Sequence, residues 1–228
     1  MTASLRILAI QLASKPGHIQ ANLQQIEEHL RAGQQQQADL VVFPELALTG
    51  AALQDMFFNS DLRQQLSMAM QRLAELSTIC PFLIGLPFFS SNQLKSSCAF
   101  FSHGQLQWQR TKQILSTAEK RHFATDTTHS APLIINDVQI QIVFGYELAH
   151  TTLGKDTALA IVLAADRFFL GGQERRMQQL SRLTKQASCP ALYVNAAGCL
   201  DETIFAGQSC VMDAQGEFQQ RARPFESD

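Results

Sequence analysis

A short apolar run that ends in proline and glutamate constrains the fold of this chain most strongly. The run, Leu40–Phe43, has the length and the β-branched content of a strand buried on both faces of a parallel sheet. Pro44 lacks the backbone N–H that a further pair in the sheet requires, so we expect the strand to end there. Glu45 then lies at the carboxyl end of a buried strand, where open α/β sheets place their ligands.

Glu45 allows two interpretations. A carboxylate at that position is partly desolvated, so its pKa should rise towards the value that suits a general base. Alternatively, the side chain caps the loop or helix that follows the strand. Both interpretations are compatible with this stretch taken alone.

The residues around the run predict a strand–helix–strand unit. Leu5–Leu12 is typical of a first strand. Apolar residues then recur at spacings of four, three and four between Ile19 and Leu30, which predicts one buried face of an amphipathic helix. Gly33 and glutamines 34–37 are expected to close this helix. The strands on either side of it should therefore be parallel.

The rest of the chain continues this alternation. Residues 51–60 are expected to form a loop, and helices are predicted over about Asp61–Thr78 and Gln173–Ala187. No repeat, low-complexity region or linker interrupts the pattern, which predicts a single layered α/β domain over residues 1–228. The remaining predicted strands are Phe82–Leu86 (ended by Pro87), Cys98–Phe101, Leu106–Gln109, Val138–Phe144, Ala158–Leu163, Ala191–Asn195, Ser209–Met212 and Glu217–Gln220.

Composition argues against several classes of function. The net charge is −2 and no basic stripe is present, so we expect no nucleic-acid partner. No apolar run is long enough to cross a bilayer, and the N-terminus does not have the pattern of a signal peptide, so we expect no membrane partner and a cytoplasmic location. The five cysteines and six histidines show no metal-ligand spacing, which predicts reduced thiols and neither a metal nor a cofactor.

Two segments resemble a known family. The stretch from Val41 to Gly50 reads VVFPELALTG, and Lys112 lies in QRTKQIL just past a predicted strand. Both resemble signatures of the nitrilase (carbon–nitrogen hydrolase) superfamily, which uses a Glu–Lys–Cys triad. The resemblance implies a four-layer α-β-β-α sandwich, with Glu45 as general base and Lys112 as the cation that stabilises an oxyanion. Without the resemblance, Lys112 would be interpreted as a solvated surface charge.

A further block resembles the family more loosely. Glu119, in AEKRHF, matches the family's second, supporting glutamate, although a glutamate on a helix surface is an equally good interpretation. Only six residues separate Lys112 from Glu119, whereas the family has a longer loop here that carries an aromatic residue over the substrate. We therefore expect a short pocket wall that lacks an aromatic lid.

The nucleophile position departs from the family. The family places its cysteine at the end of the strand that matches Val138–Phe144, and Gly145 occupies that position in IVFGYEL. Glycine cannot attack a carbonyl, and a backbone with positive φ is one reason why a glycine would be kept there. A shift in register offers no replacement, because no cysteine lies between Cys98 and Cys189. We expect Tyr146, next to Gly145, to contact a ligand.

Signatures near the end of the chain narrow the resemblance. Asp166 replaces a serine that helps to hold substrate in the family, so we expect it at the ligand site. Tyr193–Glu202 (YVNAAGCLDE) and Phe205–Ser209 (FAGQS) resemble the N-terminal glutaminase domain of glutamine-dependent NAD synthetases. We expect no ATP-binding synthetase domain in the chain. Cys199, at a glycine position of this signature, is an improbable substitute nucleophile, and we expect His122 and His150 to be hydrogen-bonded polar groups rather than catalysts.

Three departures around one pocket favour a degenerate glutaminase-like domain that no longer hydrolyses amides. They are Gly145, Asp166 and the short segment before Glu119. Such a chain would bind a small amide or amino acid, or act as a partner of a separate NAD synthetase subunit. The alternative is an active amidohydrolase that supplies ammonia for NAD synthesis. The resemblance also implies a homo-oligomer.

Overall fold

The first sheet is built from the N-terminal half of the chain. A computed structural model describes residues 4–51, 53–90, 92–126, 130–200 and 202–227. The sheet has the order β1-β2-β3-β4-β5; its first three strands are parallel to one another and its last three are antiparallel. The five strands are β1 (Ile7–Ala9), β2 (Leu40–Val42), β3 (Phe82–Ser90), β4 (Gln93–Ser102) and β5 (Gln105–Thr111).

The second sheet is built from the C-terminal half and has the order β13-β12-β9-β8-β7-β6. Its strands are β6 (Leu133–Ile135), β7 (Val138–Phe144), β8 (Leu159–Ala164), β9 (Ala191–Asn195), β12 (Cys210–Met212) and β13 (Phe218–Arg221). A separate hairpin joins β10 (Ala197–Leu200) to β11 (Thr203–Ala206). In the centre of this sheet β7, β8 and β9 are parallel, so their carboxyl ends lie at one edge.

Side chains that alternate along each strand divide the core into layers. Val41 of β2 packs beneath helices α1 (Ile19–Gln35) and α2 (Ser60–Leu76), whereas Leu40 and Val42 pack against the second sheet. The other face of the second sheet packs against helix α3 (Gly172–Ala187). The fold is therefore an α-β-β-α sandwich, as the resemblance implied.

Pro87 does not end β3, contrary to the prediction. The strand continues to Ser90, and Pro87 pairs with Ser96 of β4. The pairing between β3 and β2 stops at Leu83, so beyond that point one edge of β3 has no strand beside it. A proline is compatible with such an edge because its missing N–H costs no pair in the sheet.

Other differences concern short or local elements. A 3₁₀ helix, Gln54–Phe58, forms within the predicted loop, and α1 continues through Gly33 to Gln35. Strand β6 and the β10–β11 hairpin are not among the elements predicted from the sequence. Asn136 and Asp137, both with positive φ, form the two-residue turn between β6 and β7, and this Asn-Asp pair was the signal that could have revealed the hairpin. None of the described helices has the length and apolar character needed to span a membrane.

Candidate active site

Glu45 lies directly after β2, where the two sheets meet. The segment around it follows β3 closely: the Ala47 amide donates to the Gly85 carbonyl (2.8 Å), and the Gly85 amide donates to the Pro44 carbonyl (3.1 Å). A Cβ atom at Gly85 would collide with the Glu45 backbone, so glycine is required for this approach. The Glu45 amide also donates to the Ala164 carbonyl at the end of β8 (3.3 Å), which ties Glu45 to the second sheet.

Lys112 joins two carboxylates into a buried ionic cluster. Its Nζ lies 2.7 Å from Oε1 of Glu45 and 2.6 Å from Oε1 of Glu119. The exposed fractions of the Lys112 and Glu45 side chains are only 2% and 5%. The Ser96 hydroxyl donates a further hydrogen bond to Oε1 of Glu45 (3.1 Å). Lys112 is therefore not a solvated surface charge, and Glu45 does not cap a helix.

Glu119 is fixed by its own segment as well as by Lys112. The Ser116 amide donates to Oε2 of Glu119 (2.8 Å), and the Glu119 amide donates to Oγ of Ser116 (3.3 Å). Glu119 begins the 3₁₀ helix Glu119–Arg121. The short segment after Lys112 thus turns back on itself, which places the Glu119 carboxylate against the Lys112 ammonium group.

The pKa values of the three ionisable groups in this cluster are shifted for different reasons. Burial raises the pKa of Glu45 to about 7, because desolvation outweighs the attraction of Lys112 and because Glu119 and Asp166 repel a second negative charge. Burial by itself would lower the pKa of Lys112, but the two carboxylates raise it above its ordinary value. Burial works to raise the pKa of Glu119, but Lys112 and Ser116 outweigh that effect and lower it.

Glu147 positions the segment that follows Lys112, a role that the sequence analysis missed. Its carboxylate, 2% exposed, accepts hydrogen bonds from Arg110 Nη2 (2.8 Å), the Gln113 amide (2.6 Å) and the Ile114 amide (3.2 Å). It also accepts one from the Phe144 amide (3.3 Å). Glu147 therefore holds the end of β5 against the end of β7. A glutamate two residues after the nucleophile position was the available signal.

Gly145 lies immediately after β7, as the register of the resemblance predicted. Its φ angle is outside the left-handed region, so the suggestion that positive φ requires a glycine here is wrong. Space is the reason instead. A Cβ atom at this position would lie 2.9 Å from the Ala164 Cβ and 3.0 and 3.1 Å from the two carboxylate oxygens of Asp166. Asp166 thus occupies part of the volume that a nucleophilic side chain would need.

Asp166 is held in this position by two other side chains. The Tyr193 hydroxyl donates to Oδ2 of Asp166 (2.7 Å), and Arg176 Nε lies 2.9 Å from the same oxygen. The Asp166 amide donates to Oδ1 of Asn195 (2.9 Å). Tyr193 is fully buried and Arg176 is largely so, which keeps the carboxylate beside Gly145.

A cavity of about 520 Å³ opens over this cluster. Tyr146 lines it with its ring centroid 6.0 Å from Lys112 Nζ. Aromatic side chains from four further segments complete the walls, so an aromatic surface is present although the Lys112–Glu119 segment supplies none. The lining includes Glu45, Phe57, Lys112, Ser116, Glu119, Arg121, His122, Phe123, Tyr146, Asp166, Arg167, Phe169, Arg176 and Phe205.

No thiol lies among the described residues that line this cavity. Cys199 instead lines a second cavity of about 330 Å³, which shares Glu45 with the first. The other four cysteines are buried, and burial raises the pKa of Cys210 to about 12. Of the two serines that contact the ionic cluster, Ser96 is 1% exposed and Ser116 Oγ already accepts the Glu119 amide.

His122 does not behave as predicted. Its Nδ1 atom is buried without a hydrogen-bond partner in the described part of the chain, whereas we expected a satisfied polar group. The ring instead packs against Phe57, Phe58 and Phe123. Burial, with a smaller effect of Arg121, lowers the pKa of His122.

The arrangement can accept a proton and stabilise negative charge, but the described residues that line the cavity include no thiol, and the Ser96 hydroxyl that donates to Glu45 is buried. Glu45 has a pKa suited to proton transfer near neutral pH, and Lys112 is a fixed cation beside it. Covalent acyl transfer also needs a nucleophile within hydrogen-bond reach of the base, and the position that would supply it is a glycine next to a carboxylate. Within the residues that the structure covers, no cluster of three or more His, Cys, Asp or Glu could hold a metal ion.

The chain matches the family model described as carbon–nitrogen hydrolase over residues 6–228. Among curated proteins it is 25% identical to a glutamine-dependent NAD(+) synthetase of Acinetobacter baylyi, over 99% of this chain and 43% of that protein. It is 26% identical to the enzyme of the same name in Synechocystis, over 97% of this chain and 45% of that protein. The chain thus spans less than half the length of these relatives.

Solved structures show the same fold. A glutamine-dependent NAD+ synthetase from Acinetobacter baumannii in complex with ADP superimposes with a TM-score of 0.89 at 25% identity, over 98% of this chain and 44% of that one. An amidase of the nitrilase superfamily from Nesterenkonia superimposes with a TM-score of 0.89 at 19% identity, over 99% of this chain and 91% of that one. That amidase structure shows Michael addition of acrylamide at its active-site cysteine.

Proposed function

The chain belongs to the carbon–nitrogen hydrolase family, and from this premise we propose that it is a degenerate glutaminase-like domain that binds a small ligand without hydrolysing it. In this proposal Glu45, Lys112 and Glu119 are the retained charges of the hydrolase site, and Gly145 marks the lost nucleophile. Tyr146 and Asp166 contact the ligand. The Nesterenkonia amidase, in contrast, reacts through a cysteine.

One observation carries the proposal: Gly145 and Asp166 are matched to each other. The carboxylate of Asp166 lies so close to position 145 that it would crowd the Cβ atom of any nucleophilic side chain there. Tyr193 and Arg176 hold the carboxylate in this position. A single replacement of cysteine by glycine would leave an empty space, whereas here the space beside it is occupied by a hydrogen-bonded carboxylate that is only 20% exposed. This arrangement favours a rebuilt pocket over a hydrolase with one residue missing.

The relatives suggest the biological setting. Because they are glutamine-dependent NAD(+) synthetases, we propose a role connected with NAD biosynthesis, in the cytoplasm, with an NAD synthetase subunit as partner. A small amide or amino acid is the ligand class that this relationship suggests. Self-association of the domain is part of the same proposal.

A second candidate is amide hydrolysis by water that Glu45 activates. The raised pKa of Glu45 and the adjacent Lys112 cation favour it, because a base and an oxyanion-stabilising group alone leave some catalysis in triad enzymes. Such residual catalysis is far below that of an intact triad. The two candidates therefore differ in whether the native chain releases ammonia at all.

The test is ammonia release from glutamine by the native chain, Gly145→Cys, Asp166→Ser and the double variant Gly145→Cys/Asp166→Ser. We expect no release by the native chain or by Asp166→Ser, because both lack a nucleophile at position 145. We also expect none by Gly145→Cys, because the Asp166 carboxylate crowds any side chain there. Release by the double variant is expected, because its smaller serine makes room for the thiol beside Glu45 and Lys112. Thermal unfolding of each variant controls for loss of fold.

Release by the native chain that Glu45→Gln abolishes would overturn the proposal in favour of water-mediated hydrolysis. Activity of Gly145→Cys equal to that of the double variant would show that Asp166 does not exclude a nucleophile. The first result would overturn the proposal directly, and the second would remove the observation on which it rests.

A further inference from the structure

We propose that the cavity binds a primary alkylammonium group, with Oδ1 of Asp166 as its principal acceptor. This inference rests on the proposed function, because a hydrolytic site would need a nucleophile in the volume beside Asp166. It narrows the ligand class that the relatives suggest, a small amide or amino acid, to ligands that present a protonated primary amine on a short alkyl chain.

The hydrogen bonds of Asp166 leave one oxygen available. Oδ2 is engaged by both the Tyr193 hydroxyl and Arg176 Nε. Within the described part of the chain, Oδ1 of Asp166 has no hydrogen-bond partner, and it lies 3.1 Å from the position of a Cβ atom at residue 145. Because Gly145 has no side chain, a ligand group can approach on that side. The carboxylate itself lines the cavity.

The charges of the site, of which Glu45 and Lys112 are buried and Glu119 and Asp166 are 21% and 20% exposed, do not balance. Three carboxylates, those of Glu45, Glu119 and Asp166, meet two cations, Lys112 and Arg176. One negative charge is therefore uncompensated whenever Glu45 is ionised. Burial makes an uncompensated charge costly, and a cation brought by a ligand relieves that cost. Lys112 does not repel such a ligand strongly, because carboxylates hold it at 2.7 and 2.6 Å.

The walls of the cavity suit an alkyl chain that ends in a cation. Phe57, Phe123, Tyr146 and Phe169 line it with aromatic surface, on which methylene groups are desolvated. The faces of such rings also attract ammonium groups. The two other arginines of the lining, Arg121 and Arg167, are exposed to solvent, and Arg121 pairs with Asp55 (2.9 Å). The buried end of the cavity therefore favours a positive group.

Isothermal titration calorimetry at pH 8 with n-butylamine and butyramide tests the proposal. The two probes have the same number of carbon atoms, but n-butylamine ends in an ammonium group and butyramide in an amide. We expect the amine to bind at least tenfold more tightly than the amide. Asp166→Asn should weaken amine binding at least tenfold and leave amide binding unchanged. Asp213→Asn, which alters a partly exposed carboxylate in the β12–β13 turn outside the cavity lining, is the matched control and should change neither.

Gly145→Ala provides a test that keeps Asp166 in place. Its methyl group would contact both carboxylate oxygens, so we expect amine binding to fall at least tenfold while thermal unfolding shows a folded chain. Tighter binding of the amide, no binding of either probe, or amine binding that is insensitive to Asp166→Asn would overturn the alkylammonium assignment. None of these results would restore hydrolysis. Only ammonia release by the native chain would overturn the proposed function itself.

Discussion

At the scale of single residues, position within one cluster decides the protonation of two chemically similar glutamates. Glu45 is almost wholly buried and its pKa is raised to about 7, whereas Glu119 is 21% exposed and its pKa is lowered. Both contact the same ammonium group at nearly the same distance. The difference therefore arises from desolvation, and from the amide and hydroxyl of Ser116 that favour ionised Glu119.

A carbon-13 NMR titration of the glutamate carboxyl groups should show this difference. We expect the Glu45 resonance to titrate near pH 7 and that of Glu119 below the ordinary value of 4.5. The folded chain then holds the Glu45 proton to a higher pH than the unfolded chain does. Its contribution to the free energy of unfolding should therefore decrease as pH rises from about 4.5 to about 7.

Lys112→Met is the matched variant for this titration. Because the Lys112 ammonium group lowers the pKa of Glu45, its removal should move the Glu45 midpoint higher still. A midpoint for Glu45 at or below 4.5 in the native chain would contradict the desolvation argument. A lower Glu45 midpoint in Lys112→Met would contradict the attraction between the Lys112 ammonium group and the Glu45 carboxylate.

At the scale of elements, close approach between a helix and a strand determines where glycine is needed. Gly33 is a buried residue of α1, and a Cβ atom there would lie 2.5 Å from Cγ2 of Val41 in β2. The glycine that we interpreted as the end of the helix is instead the point where α1 contacts the strand that leads to Glu45. The orientation of that strand thus depends on a helix contact on its other side.

Gly33→Ala and Val41→Ala form a double-mutant cycle for this contact. Alanine favours a helix over glycine by about 1 kcal/mol, but overpacking a core costs about 1–3 kcal/mol. We expect Gly33→Ala to lower the free energy of unfolding in the native background, measured by urea denaturation. In the Val41→Ala background the same change should be neutral or stabilising. Equal effects in both backgrounds would mean that the two residues do not interact.

At the scale of the whole molecule, one buried glutamine ties the first strand to the end of the chain. Gln11, 1% exposed, donates from Nε2 to the carbonyls of Arg223 and Glu226 (2.7 Å each) and accepts the Ser209 amide at Oε1 (2.9 Å). The Ser227 hydroxyl donates to its carbonyl (3.1 Å). These bonds connect segments about 200 residues apart and close one edge of the sandwich.

Gln11→Ala should loosen that edge. It leaves the buried Ser209 amide without its acceptor, and a buried unsatisfied group costs about 1–3 kcal/mol. We expect a loss of stability of that order by urea denaturation, with faster amide hydrogen exchange at Ser209. Gln24→Ala, which removes an exposed glutamine of α1, is the control and should change neither measurement. Unchanged exchange at Ser209 would show that Gln11 does not hold this edge.

The sequence by itself determined the layers of this protein and two of its charged site residues. Apolar periodicity depends only on local geometry, so it located the three α-helices of the described residues. It also located the central strands, among them Val138–Phe144 and Ala191–Asn195 with their observed bounds. A charge directly after a buried strand must lie at the edge of the sheet, which made Glu45 a site candidate. Only the family resemblance of the segment QRTKQIL distinguished Lys112 from a solvated surface charge.

Only the tertiary structure decided how the site is filled. The carboxylate of Asp166 beside Gly145, the return of Glu119 to Lys112 and the anchoring role of Glu147 all join segments that are distant in sequence or turn back on themselves. No local pattern reports the distance between the ends of β7 and β8, on which the crowding at Gly145 depends. The sequence could show that the nucleophile is missing, but the packing of two strand ends determines what occupies its place.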